Sequence, residues 1–291
     1  MRPFGVVDAN ETLEEARTRN VREALAEDIG TGDWTARLVP AGPAHARVRV
    51  REEAVLCGVD WFEGCFRALD PGATFAWSHA EGDEMAADSI VCELVGNARA
   101  LLSAERPALN FLQLLSGTAT STRRYVRAIE SASPNPRGCL VLDTRKTIPG
   151  LRLAQKHAVR VGGGANQRIA LWDGILIKEN HIAAAGGVAE ALEAARALDA
   201  GPSVGIQIEV EGLDQLREAL ASGATSILLD NFSLDLTREA VAITAGRAVL
   251  EASGGISLDE IAGIAATGVD RISVGALTKN VRAIDYSMRL I

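Results

Sequence analysis

Short apolar runs that end on a polar residue recur through the second half of the chain, with amphipathic stretches between them. The runs are GIQIEVE (205–211), SILLDNF (226–232), AVLEASGG (248–255) and RISVGAL (271–277). Continuous apolar and β-branched runs bounded by turn residues predict buried strands. Between them, GLDQLREALASG (212–223) puts Leu213, Leu216 and Leu220 on one face and stops at a glycine, which predicts a helix. LTREAVAITAG (236–246) and SLDEIAGIAATG (257–268) repeat the pattern, the latter with Ser257 as N-cap. Upstream, CLVLDT (139–144) and GILIKEN (174–180) predict two more strands, and GVAEALEAARAL (187–198) another helix.

Repeated β-α units predict a parallel sheet covered by helices. Polar residues at the end of nearly every strand favour a closed barrel over an open sheet, because barrel strand ends converge on one face. Six strands are clear, so the barrel falls short of eight. The first hundred residues differ. ARVRVREEAVLCG (46–58) alternates as a half-exposed strand does; TFAWSH (74–79) and SIVCELVG (89–96) are similar, and helical spacing appears near 20–27. A helical stretch at roughly 103–131 follows. The expected fold class is α/β: a separate N-terminal α+β domain, then an incomplete parallel α/β barrel.

Composition narrows the function. Thirty Lys and Arg against 38 Asp and Glu give a net charge of −8 over 291 residues, and there is no basic stripe, which argues against nucleic acid. No run approaches the roughly 20 apolar residues of a membrane span. The charged N-terminus lacks the apolar core of a signal peptide. Cys57, Cys65, Cys92 and Cys139 form no C-x-x-C pair and have no His at zinc spacing, so free thiols in the cytoplasm are expected.

In an acidic chain, local cations stand out. Strand ends offer Arg145 and Lys146, then Arg168 in a glycine-rich loop (160–168), then Lys178. Together they suit a polyanion, since guanidinium forks match carboxylate or phosphate oxygens; singly each would be a surface ion pair. Glu209 and Asp230 either hold a hard cation such as Mg²⁺ and accept from sugar hydroxyls, or neutralise those cations. Glu251 continues their 21-residue spacing. Ser253-Gly254-Gly255 with Gly275 suits a phosphate, or is an ordinary tight turn. No Walker or G-x-G-x-x-G motif exists, and His157 and His181 have no triad-like partner.

The segments EDIGTGDWTA (27–36), AERPALNFLQLLSGTAT (104–120), LDTRKTIPGLR (142–152), AVRVGGGANQR (158–168), LIKENHI (176–182), IEVE (208–211), LLDNF (228–232), EASGGI (251–256) and VGALTK (274–279), in this order, resemble quinolinate phosphoribosyltransferases. The resemblance implies an N-terminal α+β sandwich domain, 1–115, with residues about 280–291 packing back on it, and an incomplete six- to seven-stranded parallel α/β barrel, 116–279. It implies phosphoribosyl transfer from phosphoribosyl pyrophosphate to quinolinate with loss of CO₂, and Mg²⁺ as cofactor. It implies a homodimer with shared active sites, or a higher oligomer built from it, in which Arg106 reaches the neighbour's site. Arg145, Arg168 and Lys178 would contact quinolinate carboxylates or phosphates, with Lys146 in the same pocket. Glu209 and Asp230 would serve the metal and the ribose hydroxyls. Ser253, Gly254 and Gly275, with Lys279, would cradle the 5′-phosphate. One position departs from the family: its loop commonly reads N-H-R, and here it is Asn166-Gln167-Arg168. An amide donates a hydrogen bond but carries no charge, so binding at Gln167 is expected to be weaker or less pH-dependent. Two rivals are a paralogue acting on a related ring such as nicotinate, and a non-catalytic phosphate-ligand sensor. The dicarboxylate-sized cation cluster argues against the first, and the Glu209/Asp230 pair against the second.

Overall fold

A computed structural model describes residues 10–198, 200–201 and 204–291. The chain divides into two units: Met1–Thr120 with Ile148–Val161 and Val281–Ile291, and Ser121–Thr147 with Gly162–Asn280.

In the first unit, helix α1 spans Leu13–Ile29. It starts there because Thr12 and Glu15 cap each other. The Glu15 N–H donates to the Thr12 hydroxyl at 3.2 Å, and the Thr12 N–H donates to the Glu15 carboxylate at 2.8 Å. Apolar spacing had marked only 20–27, since the first turns are charged. Strands β1 (Pro43–Val50) and β2 (Ala54–Val55) follow, then α2 (Val59–Leu69), β3 (Thr74–Trp77), β4 (Glu84–Met85), β5 (Ile90–Asn97) and the long helix α3 (Ala98–Ile129), whose residues from Ser121 on belong to the second unit. Along β1, Ala46, Val48 and Val50 are buried while Arg47 is exposed, the alternation read from the sequence. The last strand, β12 (Tyr286–Leu290), pairs with β1 in an antiparallel sheet ordered β12-β1-β5-β3, and β2 pairs with β4. Trp61, Phe62 and Phe66 of α2 are buried, and Phe62 packs on Phe66 and Trp77 at ring distances of 4.8 and 5.3 Å. Burying each such side chain contributes about 1.5–3 kcal/mol.

Helix α4 (Arg152–Val161) also belongs to this unit. Its His157 joins Glu81 and Cys57 in one knot. Glu81 Oε1 lies 3.0 Å from His157 Nε2 and accepts from the Gly58 N–H (3.0 Å) and the Cys57 thiol (3.3 Å). Its Oε2 accepts from the Val59 N–H at the start of α2. Burial alone would raise the Glu81 carboxyl, but the His157 contact and these donors outweigh it and hold it below the usual carboxylate range. His157 therefore has a structural partner.

The second unit holds six parallel strands: β6 (Leu140–Leu142), β7 (Gly174–Ile177), β8 (Gly205–Val210), β9 (Ser226–Asp230), β10 (Val249–Ser253) and β11 (Arg271–Ser273). Helices α5 (Glu179–Ala185), α6 (Val188–Arg196), α7 (Leu213–Ala221), α8 (Leu234–Thr244), α9 (Ile261–Ala265) and α10 (Ala276–Lys279) lie between or after them. The sheet order is β6-β11-β10-β9-β8-β7. From β7 to β11 each strand neighbours the next in sequence, and β6 extends the sheet beside β11. The open seam between β6 and β7 is partly filled by Ala165, which bridges to Leu142. This is an incomplete six-stranded barrel. Alternate strand residues such as Ile208, Val210, Ile227, Leu229, Leu250 and Ile272 are buried.

Two local expectations change. Ser257 does not cap a helix: α9 begins at Ile261, and the Ser257 N–H and hydroxyl both donate to the Glu260 carboxylate within a preceding turn. The KEN end of GILIKEN is not strand, because α5 begins at Glu179. Among the described residues no helix is long and apolar enough to cross a membrane, and all four cysteines are free.

Candidate active site

A cavity of about 530 Å³ opens at the C-terminal strand ends of the second unit. Chemistry in a barrel concentrates on that face. Lys146, Lys178, Glu209, Asp230, Ser253, Gly254 and Gly275 line it, seven of the residues singled out from the sequence. Strand geometry explains why they meet. Side chains alternate across a strand, so each strand's last inward position points into the mouth.

Two cations and several acids face each other there. Lys178 Nζ donates to Glu209 Oε2 at 2.7 Å, and Glu209 is only 8% exposed. A carboxylate this buried requires its partner. Lys178 also precedes α5, and its own N–H donates to His181 Nδ1 at 3.0 Å. His181 thus closes the start of α5, and its Nδ1 acts as an acceptor. Lys146 is exposed; its N–H donates to the Thr144 hydroxyl at 3.1 Å, and its carbonyl accepts from Thr278 at 2.8 Å. Those bonds set the backbone from which the lysine reaches.

The opposite rim is built for close approach. Gly254 has φ of +116°, and a Cβ there would lie 2.1 Å from Asn231 Oδ1. Asn231 is itself left-handed at φ 56°; its N–H donates to the Ser253 carbonyl and its amide to Asp230 Oδ2. The ends of β9 and β10 are therefore tied together. At Gly275 a Cβ would sit 3.2 Å from the Lys146 chain, so its absence leaves that lysine room.

Arg145 and Arg168 are not among the residues that line this cavity. Burial first, then the Arg145 charge, lowers the Arg168 guanidinium's proton affinity, with Asp173 and Glu209 opposing. Arg168 Nη1 donates to the Gly174 carbonyl at 2.9 Å, and Asp173 accepts from the Ile169 and Ala170 N–H groups, which shapes the loop. The Gln167 backbone N–H donates to Asp143 Oδ1 at 3.0 Å, and its side chain donates to Gln207 Oε1 at 3.1 Å. Lys279 ends α10, is exposed, and donates to Asn280 Oδ1 rather than lining the cavity. Arg106 lies on α3 of the first unit; it is exposed and makes no hydrogen bond with another described residue.

Gln207, Thr144 and Ser273 were not singled out from the sequence. Strand alternation carried the signal for two of them: Gln207 is two residues before Glu209, and Ser273 two before Gly275. For a metal, the cavity offers hard carboxylate oxygens, Glu209 and Asp230 with Glu211 beside them, which suits Mg²⁺ completed by substrate oxygens and water. The described residues also bring Cys57, Glu81 and His157 together, but there the carboxylate already accepts from two backbone N–H groups, a surrounding that disfavours a cation.

Known proteins match this chain over most of its length. The family model for quinolinate phosphoribosyl transferase, C-terminal domain, matches residues 118–289, and that for the N-terminal domain matches 33–116. The chain is 42% identical over 263 residues to the probable nicotinate-nucleotide pyrophosphorylase [carboxylating] of Bacillus subtilis, covering 90% of this chain and 89% of the relative. It is 41% identical to the Mycobacterium leprae nicotinate-nucleotide pyrophosphorylase [carboxylating], over 95% and 98% of the two chains. The solved nicotinate-nucleotide pyrophosphorylase of Francisella tularensis superposes with a TM-score of 0.90 at 46% identity, over 97% of this chain and all of that one.

Proposed function

The chain belongs to the quinolinate phosphoribosyltransferase family, and from that premise we propose that its barrel cavity joins quinolinate to the ribose of phosphoribosyl pyrophosphate. The protein is an enzyme, a phosphoribosyltransferase of NAD biosynthesis that forms nicotinate mononucleotide, pyrophosphate and CO₂. The observation that carries the assignment to this cavity is the convergence of Lys146, Lys178, Glu209, Asp230, Ser253, Gly254 and Gly275 on one strand-end opening, beside the Arg145–Arg168 pair.

The chemistry follows from those groups. The ring nitrogen of quinolinate attacks C1 of the ribose as the C1–O bond to pyrophosphate breaks. The transition state has oxocarbenium character, as in glycoside cleavage. No side-chain nucleophile is required, which fits a site made of cations, carboxylates and glycines. Arg145, Arg168 and Gln167 hold the dicarboxylate and exclude other orientations, a positioning effect. Lys146 and Lys178 neutralise charge as pyrophosphate departs. Ser253 and the Gly254 and Gly275 backbones receive the 5′-phosphate, and Lys279 reaches it only by leaving Asn280. Asp230 and Glu209 accept from ribose hydroxyls and would hold Mg²⁺, which supplies charge neutralisation on the pyrophosphate. Once alkylated, the ring nitrogen is cationic. The bond from C2 to its carboxylate then breaks and CO₂ leaves; the electron pair stays on C2 in the ring plane, stabilised by the adjacent cationic nitrogen, and takes a proton from water.

The functional molecule is a homodimer in this reading, with Arg106 of one protomer completing the site of the other; its exposure and lack of a hydrogen-bonded partner support this. The four free cysteines fit a reducing cytoplasm. The experiment is substrate choice. With Mg²⁺ and phosphoribosyl pyrophosphate, nicotinate mononucleotide forms from quinolinate and not from nicotinate. Use of nicotinate would mean that the Asn166-Gln167-Arg168 loop marks a different substrate.

A further inference from the structure

Behind the cavity-lining residues, one step deeper on the same strand faces, lies a polar chain. Gln207 is two residues before Glu209 on β8, and Glu251 is two before Ser253 on β10. Their side chains span the intervening strand: Gln207 Nε2 donates to Glu251 Oε2 at 2.9 Å. Gln167 Nε2 donates to Gln207 Oε1 at 3.1 Å. Glu251 is 1% exposed, and its Oε1 has no hydrogen-bond partner among the described residues. Burial above all raises its carboxyl; Gln207, Ser273 and Arg271 pull the other way, and Asp143 adds to the rise.

Such an arrangement is costly for stability alone. A half-satisfied buried carboxyl is worse than an apolar residue of its size, so a role other than packing is called for. The bonding order points to that role. An amide has one donating end and one accepting end. With the Gln207 nitrogen held by Glu251, its carbonyl accepts one of the two N–H bonds of the Gln167 amide, and in a planar NH₂ group this fixes the direction of the second. The Gln167 backbone is fixed separately by Asp143. Both ends of this side chain are therefore set from within the barrel.

We propose that Gln207 and Glu251 are positioning residues for Gln167, holding its uncharged amide in one rotamer and one orientation toward the pyridine dicarboxylate. This rests on the quinolinate reading above. A charged donor would be drawn to a carboxylate without such help. An amide gains less from each contact, so its alignment counts for more.

The test is a double-mutant cycle read in KM for each substrate. Gln207→Leu raises the quinolinate KM about tenfold and leaves the phosphoribosyl pyrophosphate KM within about twofold. Gln167→Ala raises the quinolinate KM comparably. The double variant is no worse than Gln167→Ala, because Gln207 acts through Gln167. Should the leucine variant fail to fold, Gln207→Asn, one methylene too short to span both partners, takes its place. Effects that multiply in the double variant, or both KM values rising together, would overturn the relay. Absence of quinolinate turnover by the wild-type protein would remove both readings, whereas turnover with multiplying effects removes the relay alone.

Discussion

Gly254 shows how much of the site depends on a single atom's absence. Its φ of +116° disfavours any side chain, and a Cβ would collide with Asn231. Gly254→Ala is expected to cost about 1–3 kcal/mol in stability and to raise the phosphoribosyl pyrophosphate KM, with quinolinate affinity preserved. Calorimetric titration with each substrate separates the two effects; equal weakening of both would show that the turn is not a phosphate cradle. The candidate cations and acids were legible from the sequence because they stand at strand ends, where a polar residue interrupts an apolar run. Gln207 was not, because a glutamine inside GIQIEVE looks like an interruption until the inward positions of neighbouring strands are aligned. His157 and His181 were ambiguous for the opposite reason. Their partners, Glu81 and the Lys178 N–H, become visible only when the chain is folded.

At the scale of elements, the Glu81 knot ties the start of α2 to α4. Glu81 in the folded chain titrates below the ordinary glutamate value of 4.5. The unfolded chain then binds more protons as pH falls, so this stabilisation is full above that value and lost as pH drops through the folded pKa. Glu81→Gln should lower stability by about 1–3 kcal/mol near neutral pH, and its deficit in Tm relative to wild type should shrink steadily below about pH 4.5. A deficit that stays constant into acid would mean that the carboxylate charge contributes nothing. Element boundaries were the least legible feature. Thr12 begins α1 through reciprocal capping that apolar spacing does not register, and Ser257, spaced as a cap, instead closes a turn with Glu260. Nor does the pattern show that Ile148–Val161, lying between two barrel strands in the chain, sides with the first unit.

For the whole molecule, the β-α repeat was enough to read six parallel strands, since from β7 to β11 each strand lies beside its successor and the connections hold little beyond a helix. The seam between β6 and β7, and the Ala165 bridge that narrows it, left no periodic trace. The proposed sharing of sites between two protomers predicts complementation. Arg106→Ala and Lys146→Ala should each be nearly inactive, yet mixed and allowed to exchange subunits they should recover about a quarter of wild-type activity, the share of intact sites in a random mixture of dimers. No recovery after confirmed exchange would place Arg106 outside the neighbour's site.

The central claim is that the barrel cavity couples ring alkylation to decarboxylation. Its most direct test is a turnover with quinolinate labelled at the 2-carboxylate, in the presence of phosphoribosyl pyrophosphate and Mg²⁺, counting labelled CO₂ against pyrophosphate. One CO₂ per pyrophosphate, abolished together by Lys178→Ala, is the predicted result. Pyrophosphate released without CO₂, or turnover that survives loss of Lys178 unchanged, would contradict it.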